Sequence, residues 1–426
     1  MASTYRQTLA ALYALEAKKG MDFRLSRLDP VLEALGHPQR AFACVHVAGT
    51  NGKGSTSAMV EAAFRAGGHR TGLYTSPHVV SFRERIRIAG VPISREAVVR
   101  RVAEVETAGA TAKTGLTFFE IATLMAFLEM REAGVDVAVI EAGLGGRLDA
   151  TNVAHGDVAV LTSVGIDHAE FLGSTIEEIA REKAAIIKAG SVAITGALPI
   201  SAAKIVAARA EEVDAKLLVH GRDFDDFEPL FAAQQSRPGQ VPMGAHQLRN
   251  AAVAAAAVEA LGTRFPVTTA ERDAAILAVR WPGRLEMLPR RQGRGSLVLD
   301  AAHNPEGAVA LASSLDSVAP ERPRVLVFAS MGDKDWRAVL TTLAPCFDRV
   351  VVAPLPMQRA AAPALFQEVV PDAILAPSAE QALDRAEEIA TAHGSVVVAG
   401  SIFLLGHLYR YCGGAFLEND LDDSVD

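Results

Sequence analysis

Lys53 stands in a loop suited to holding phosphate. Gly49-Thr50-Asn51-Gly52-Lys53-Gly54-Ser55 packs three glycines into seven residues. It follows a short apolar run, Ala41–Ala48, and precedes a stretch of helix-forming composition, Ser55–Ala66, that stops at Gly67-Gly68. A buried strand, a glycine-rich turn and a helix start turn backbone N–H groups and a helix dipole onto an anion, and the lysine reaches the outer phosphates. The spacing departs from the general GxxxxGK[ST] pattern. Val47 stands where its first glycine belongs, and Gly54 where a Mg²⁺-holding hydroxyl belongs. Either Ser55 supplies that hydroxyl from one position later, or the metal is held from elsewhere.

Further downstream, two apolar runs end on side chains that can act. Val135–Ala142 carries Glu141 at its end and runs into the glycine-rich GLGGRLD segment. Asp157–Val164 leads to Gly165-Ile166-Asp167-His168. A carboxylate where a buried strand meets a loop is costly unless it is paired or metal-bound, and in open α/β sheets the carboxyl edge is where ligands sit. Glu141, His168 and the phosphate loop on one edge make a Mg²⁺–nucleotide site.

The elements that must position these groups alternate in α/β fashion. Helices are expected over Thr4–Lys19, Leu28–Leu35, Ser94–Thr107, Thr117–Ala133, Ile176–Ala189, from Ile200, His246–Leu261 and Glu271–Val279. Strands are expected at Arg70–Tyr74, Val192–Thr195 and Lys216–Val219. The segment from Thr75 to Arg85 reads as an irregular, charge-rich loop, an active-site flap. Asp223–Gln240 is polar and less regular. Trp281-Pro282-Gly283-Arg284 is a turn, where the domain boundary is placed: residues 1–283 and 284–426. The second unit has strands at Leu297–Ala301, Arg324–Ala329, Arg349–Ala353 and Ser395–Ala399. Asn304 caps the helix that follows, with Pro305 at its first position. Met331-Gly332-Asp333-Lys334-Asp335 is a second charged loop at that edge. No GxGxxG follows these strands, which argues against a dinucleotide site.

Composition sets the limits. At 426 residues, half of them hydrophobic, the chain is globular and long enough for more than one domain. A net charge of −8 with no long basic run argues against nucleic acid. No apolar run is long enough to span a bilayer. Cys44, Cys346 and Cys412 lie far apart, with neither zinc nor disulfide spacing, so a reducing cytoplasm is expected.

Eight segments in order, HVAGTNGKGST, TSPH with ERIRI, EAGLGGRLDATN, GIDH, REKAAIIK, HQLRNAA, WPGR and DAAHNP, resemble the folylpolyglutamate synthase/dihydrofolate synthase family of the Mur ligase superfamily. The likeness runs from about Leu9 to the C-terminus and is specific over residues 45–190 and 281–305. It implies an N-terminal P-loop-type ATPase domain with a mainly parallel sheet and a C-terminal Rossmann-like domain, with the active site between them. It implies a monomer that uses ATP and Mg²⁺ to join a dihydropteroate or reduced-folate carboxylate to L-glutamate. By the same resemblance, Gly49, Thr50, Asn51, Gly52, Lys53, Gly54 and Ser55 hold phosphate, and Ser76, Glu141 and His168 hold the metal. Asn250, Arg284, Asp300 and His303 surround the nucleotide. Thr117, Phe119, Asp149 and Ala150 border the pterin. Lys183 matches a lysine carried as a carbamate, and Lys53, Lys183 and His168 form the catalytic set.

The chemistry suits the residues. ATP turns a poor electrophile, a carboxylate, into an acyl phosphate, and an amine then displaces phosphate; this calls for positive charge and exclusion of water. Three other readings fit part of the pattern: a cell-wall Mur ligase, a P-loop kinase, and a non-catalytic nucleotide-binding module.

Overall fold

The structure, a computed structural model, describes residues 4–19, 24–227, 244–290 and 295–412. It has two α/β domains, each built on its own mainly parallel sheet. In the first sheet the strands are β1 (Ala43–Ala48), β2 (Thr71–Tyr74), β3 (Ile86–Ile88), β4 (Val91–Pro92), β5 (Val137–Glu141), β6 (Val158–Leu161), β7 (Val192–Thr195) and β8 (Lys216–Val219). Their order is β4-β3-β2-β5-β1-β6-β7-β8. Every residue of β1, β2, β5 and β6 is buried, which is why these strands read as unbroken apolar runs and not as alternating ones. Since β1 lies between β5 and β6, with Val47 opposite Glu141 and Ala48 opposite Leu161, the chain segments leaving these three strands emerge side by side.

The second sheet adds β9 (Glu286–Pro289), β10 (Ser296–Leu299), β11 (Arg324–Phe328), β12 (Arg349–Val352), β13 (Ile374–Leu375) and β14 (Ser395–Ala399). Its order is β13-β12-β11-β14-β10-β9, parallel except for β9. Because β14 separates β10 from β11, the 300–304 and 330–334 loops leave the same edge.

Several expectations need correction. The Thr75–Arg85 loop is not irregular throughout. Phe82–Arg85 is a 3₁₀ turn with a Ser81/Glu84 capping box, and the ERIRI segment continues into the antiparallel β3–β4 edge. The helix expected to run to Ala189 ends at Ala184; Ile186 and Ile187 beyond it are fully buried in loop conformation. The helix expected to end at Thr107 runs on to Thr111. β3, β4, β9 and β13 correspond to no expected strand. Most of Asp223–Gln240 lies outside the described residues.

Candidate functional site

The loop after β1 leads directly into a helix start. Gly52, with φ 85°, is the left-handed residue before the helix Lys53–Ala66, and a Cβ there would come within 2.6 Å of Asn250 Oδ1. Lys53 Nζ donates to the carbonyls of Gly49 (3.0 Å) and Thr50 (3.2 Å). Lys183, on the last turn of Ile176–Ala184, donates to the same Gly49 carbonyl at 2.8 Å. Two lysines thus converge on one loop oxygen. Burial, assisted by the neighbouring Lys53 charge, pulls the Lys183 amine down to about 7; burial likewise lowers Lys53.

Gly54, where a P-loop hydroxyl was expected, faces Trp281: a Cβ there would lie 2.9 Å from the indole Nε1 and 3.6 Å from Glu141 Oε2. Ser55 is buried, and its Oγ accepts from Gln247 Nε2 at 3.3 Å. Ser76 follows β2, next to β5, and its backbone N–H donates to Glu141 Oε2 at 3.1 Å. Burial pushes the Glu141 carboxyl up to about 7, against the pull of Lys53, Arg284 and Arg85. Such a carboxylate favours a cation at its face.

His168 lies in the loop beyond β6, in the left-handed region at φ 52°, an uncommon placement for a non-glycine residue. Burial lowers its pKa to about 4, so the ring is neutral at neutral pH. Lys334 Nζ lies 3.2 Å from its Nε2 and 2.7 Å from Asp167 Oδ1. A lysine ammonium only donates, so Nε2 is the ring's acceptor nitrogen. Burial opposes ionisation of Asp167, but His303 and Lys334 outweigh it and hold the carboxyl well below the usual range. Among the described residues no three His, Cys, Asp or Glu side chains form a metal cluster. The expected set contributes only Glu141 and His168 of those types, with the Ser76 hydroxyl, and Lys53 feels both Glu141 and Asp167. A buried carboxylate lacking a close cation and an imidazole lone pair already drawing one suit a hard divalent ion.

The second domain reaches this loop. Asn304 and Asn51 exchange side-chain amide hydrogen bonds at 3.0 and 3.3 Å, Asn304 Nδ2 donates to Asp167 Oδ2 at 3.1 Å, and Asn51 Nδ2 donates to Glu306 Oε2 at 3.1 Å. His303 hydrogen-bonds the Ala301 carbonyl through Nδ1 (2.7 Å), leaving Nε2 at 3.6 Å from Asp167. Asp300 is occupied by the backbone N–H groups of Leu285 and Ala302, both at 2.9 Å. Arg284, with Ser55, Met59, Gln247, Trp281 and Met287, lines a cavity of about 270 Å³. Asn250 donates to Gln247 at 3.1 Å beside it.

The four pterin-border positions are less alike. Thr117 is the N-cap of Phe118–Glu132, in a capping box with Glu120. Both Asp149 oxygens are taken by its own loop, from Leu144 N (2.8 Å), Thr151 N (2.9 Å) and the Thr151 hydroxyl, and Ala150 is buried. Phe119 is half-buried, lying against Gly143 and 6.1 Å from Tyr74 ring to ring.

Sequence reading gave no weight to Asp167, Lys334, Glu306 or Gln247 as site residues. Asp167 and Lys334 each sit in a conspicuous charged segment, GIDH and MGDKD, but nothing local says that the two meet. The flap, expected to be irregular, is tied down internally: the Glu84 carboxylate gathers the N–H groups of Val79, Val80 and Ser81 at 2.9, 2.9 and 2.6 Å. Arg85 donates to His78, and its guanidinium lies 5.1 Å over the Phe118 ring.

Residues 47–239 match the Mur ligase middle domain and residues 283–402 the Mur ligase glutamate ligase domain. The folylpolyglutamate synthase of Lacticaseibacillus casei is 35% identical over 421 residues, 94% of this chain and 96% of that one. The structure of Escherichia coli FolC in complex with DHPP and ADP superposes with a TM-score of 0.86 at 33% identity, covering 95% of this chain and 97% of the other. That of the Yersinia pestis bifunctional folylpolyglutamate synthase/dihydrofolate synthase, complexed with AMPPNP and Mn ion, gives 0.85 at 30%, covering 97% and 100%. With both halves matched in order and nearly the whole length shared, the chain belongs to the Mur ligase family, in its folylpolyglutamate synthase/dihydrofolate synthase branch.

Proposed function

We propose that this chain is an ATP-dependent ligase that joins L-glutamate to the carboxylate of dihydropteroate, of reduced folates, or of both. The observation that carries this reading is the convergence of Lys53, Lys183 and the Asn304–Glu306 turn of the second domain on the loop Gly49–Asn51. Relatives of nearly equal length that bind ADP, DHPP and a manganese ion support it.

On this reading the loop from Gly49 through Gly54 to Ser55 holds phosphate through its N–H groups, and Lys53 exchanges its loop carbonyls for phosphate oxygens. Ser76, Glu141 and His168 hold Mg²⁺, which supplies charge neutralisation at the transferring phosphoryl group. The cavity beside Arg284 and Asn250 seats the purine, and Asp300 and His303 bring the second domain to the nucleotide. Thr117, Asp149 and Ala150 shape the pterin pocket from behind, while Phe119 offers a ring face. A carboxylate oxygen of the pteroate or folate attacks the terminal phosphorus, ADP leaves, and the glutamate nitrogen then attacks the acyl carbon and expels phosphate. The domains, divided as residues 1–283 and 284–426, exclude water that would hydrolyse the acyl phosphate. The enzyme works as a monomer in the cytoplasm; no described helix is long and apolar enough to cross a membrane. Match over both halves to folate ligases disfavours a cell-wall ligase, a kinase or a silent nucleotide binder.

The test is ADP release with L-glutamate plus dihydropteroate, compared with L-glutamate plus tetrahydrofolate. Release in neither mixture would overturn the reading.

A further inference from the structure

Lys334 comes from the second domain, in the charged loop after β11, yet its ammonium rests on the end of β6 in the first. It lies 2.7 Å from Asp167 Oδ1 and 3.2 Å from His168 Nε2. Its side chain is 16% exposed and that of Asp167 12%, so water does little to dilute the Lys334–Asp167 pair, whereas the His168 side chain is 42% exposed. Asp167 is also gripped from the second domain by Asn304 and faced by His303. The same nitrogen of His168 cannot accept from an ammonium and donate its lone pair to a metal ion at once. Asp167 carries no such conflict, because a carboxylate offers several acceptor sites and can keep Lys334 after His168 lets go.

We propose that Lys334 and a divalent ion compete for Nε2 of His168, with Lys334 pivoting on Asp167 when it gives that nitrogen up. This rests on the reading of His168 as a metal ligand. Lys334 is then a positioning residue. Through this contact it orients the imidazole and weakens metal binding at that nitrogen. By linkage, whatever the metal takes from the Lys334–His168 contact, the contact takes from metal affinity. Repulsion between the ammonium and the incoming cation acts in the same direction.

The experiment is a titration of the full-length protein with Mn²⁺ in saturating ADP, with free Mn²⁺ read by electron paramagnetic resonance. Lys334→Met keeps the length of the side chain and removes the charge. A hydrogen bond to a charged group corresponds to roughly tenfold in affinity, so Lys334→Met is expected to bind Mn²⁺ about tenfold more tightly, and Lys334→Arg to bind it no more tightly than wild type. In a His168→Ala background, Lys334→Met should gain nothing beyond loss of the general charge. If Lys334 only braced the fold, the Met variant would bind Mn²⁺ equally or more weakly, and either result overturns the proposal. Lys334→Gln guards against misfolding of the Met variant and has the same expected direction. If His168→Ala leaves Mn²⁺ affinity untouched, the reading of His168 as a ligand fails as well; if it weakens Mn²⁺ while Lys334→Met has no effect, only the role of Lys334 fails.

Discussion

Lys183 offers the sharpest test of the catalytic reading. Its side chain is 3% exposed, and burial together with the Lys53 charge brings the amine from an ordinary 10.5 to about 7. At pH 8 an ordinary lysine is well under 1% neutral, whereas this amine is roughly nine-tenths neutral. That matters because only the neutral amine adds CO₂: its lone pair forms the N–C bond, one N–H proton goes to solvent, and the anionic carbamate keeps the other N–H. The remaining N–H can still donate to the Gly49 carbonyl, and the nearby Lys53 ammonium, which disfavours an ammonium at Lys183, favours an anion. Protein equilibrated with ¹³C-bicarbonate at pH 8 should therefore give a carbamate carbonyl resonance that fades as pH falls below 7 and is absent in Lys183→Arg. Activity should fall roughly 10²–10³-fold in Lys183→Ala, the scale for losing one group aimed at transition-state charge, and an added short carboxylic acid should restore part of it. Stability carries its own sign. The unfolded chain holds a proton on Lys183 between about 7 and 10.5 that the folded chain lacks, so this group's contribution makes the protein more stable as pH rises through that window. Lys183→Met should accordingly not lower the melting temperature, because Gly49 O keeps its bond from Lys53. No carbamate signal at pH 8, or one that persists in Lys183→Arg, would refute the reasoning.

Lys53→Ala should abolish ligation and leave the melting temperature within a few degrees of wild type, since Nζ bonds only loop carbonyls; retained turnover would return the phosphate role to another group. Ser76→Ala should raise the Mg²⁺ concentration needed for half-maximal ADP release more than Ser55→Ala does, because Ser55 Oγ already takes part in the Gln247 contact; the reverse order would restore the P-loop hydroxyl. Gly54→Ser restores the hydroxyl after the lysine but drives a Cβ to 2.9 Å from Trp281 Nε1, so it should reduce ADP affinity and destabilise the fold by about 1–3 kcal/mol, read by calorimetry; unchanged binding would mean that Trp281 yields freely.

How far these sites could be read in advance follows from how local each signal is. The phosphate loop, Glu141 and the GIDH turn were legible because each combines a buried strand with the loop that leaves it, and a continuous apolar run announces both. The Asn304–Pro305 helix start was legible for the same reason: a cap acts within four residues, and the Asn304 side chain does accept from Gly307 N at 2.8 Å. β9 was missed because its four residues, EMLP, end in proline and show no alternation. Antiparallel pairing on the edge of β10 holds it in place, and its own sequence carries no such signal. β3 was missed because Ile86-Arg87-Ile88 looks like part of a charged loop; pairing with Gly72, Leu73 and Tyr74 on one side and with β4 on the other makes it a strand.

Contacts between the domains were illegible for a different reason, and the glycines make it plain. A Cβ on Gly165 would collide with the Glu306 carboxylate, and one on Gly406 would come within 2.5 Å of the Val79 carbonyl. Neither glycine has a positive φ, so neither is required by its own turn. Both face a partner from the other domain: Gly165 the Glu306 carboxylate on the helix Pro305–Val318, which a side-chain shift could relieve, and Gly406, on the helix Ile402–Cys412, the Val79 carbonyl of the flap, which is backbone and demands glycine. The flap is committed to that partner, for Val80 is buried among Leu404, Leu405 and Leu408 of the second domain. A sequence read by local pattern cannot separate a glycine that bends the chain from one that admits a neighbour more than a hundred residues away. Yet the second kind is what allows the domains to meet so closely. The phosphate loop and Glu141 were therefore readable strand by strand, and Arg284, Asp300 and His303 by resemblance, whereas the contacts of Asn304, Glu306 and Lys334 with the first domain are visible only in the structure.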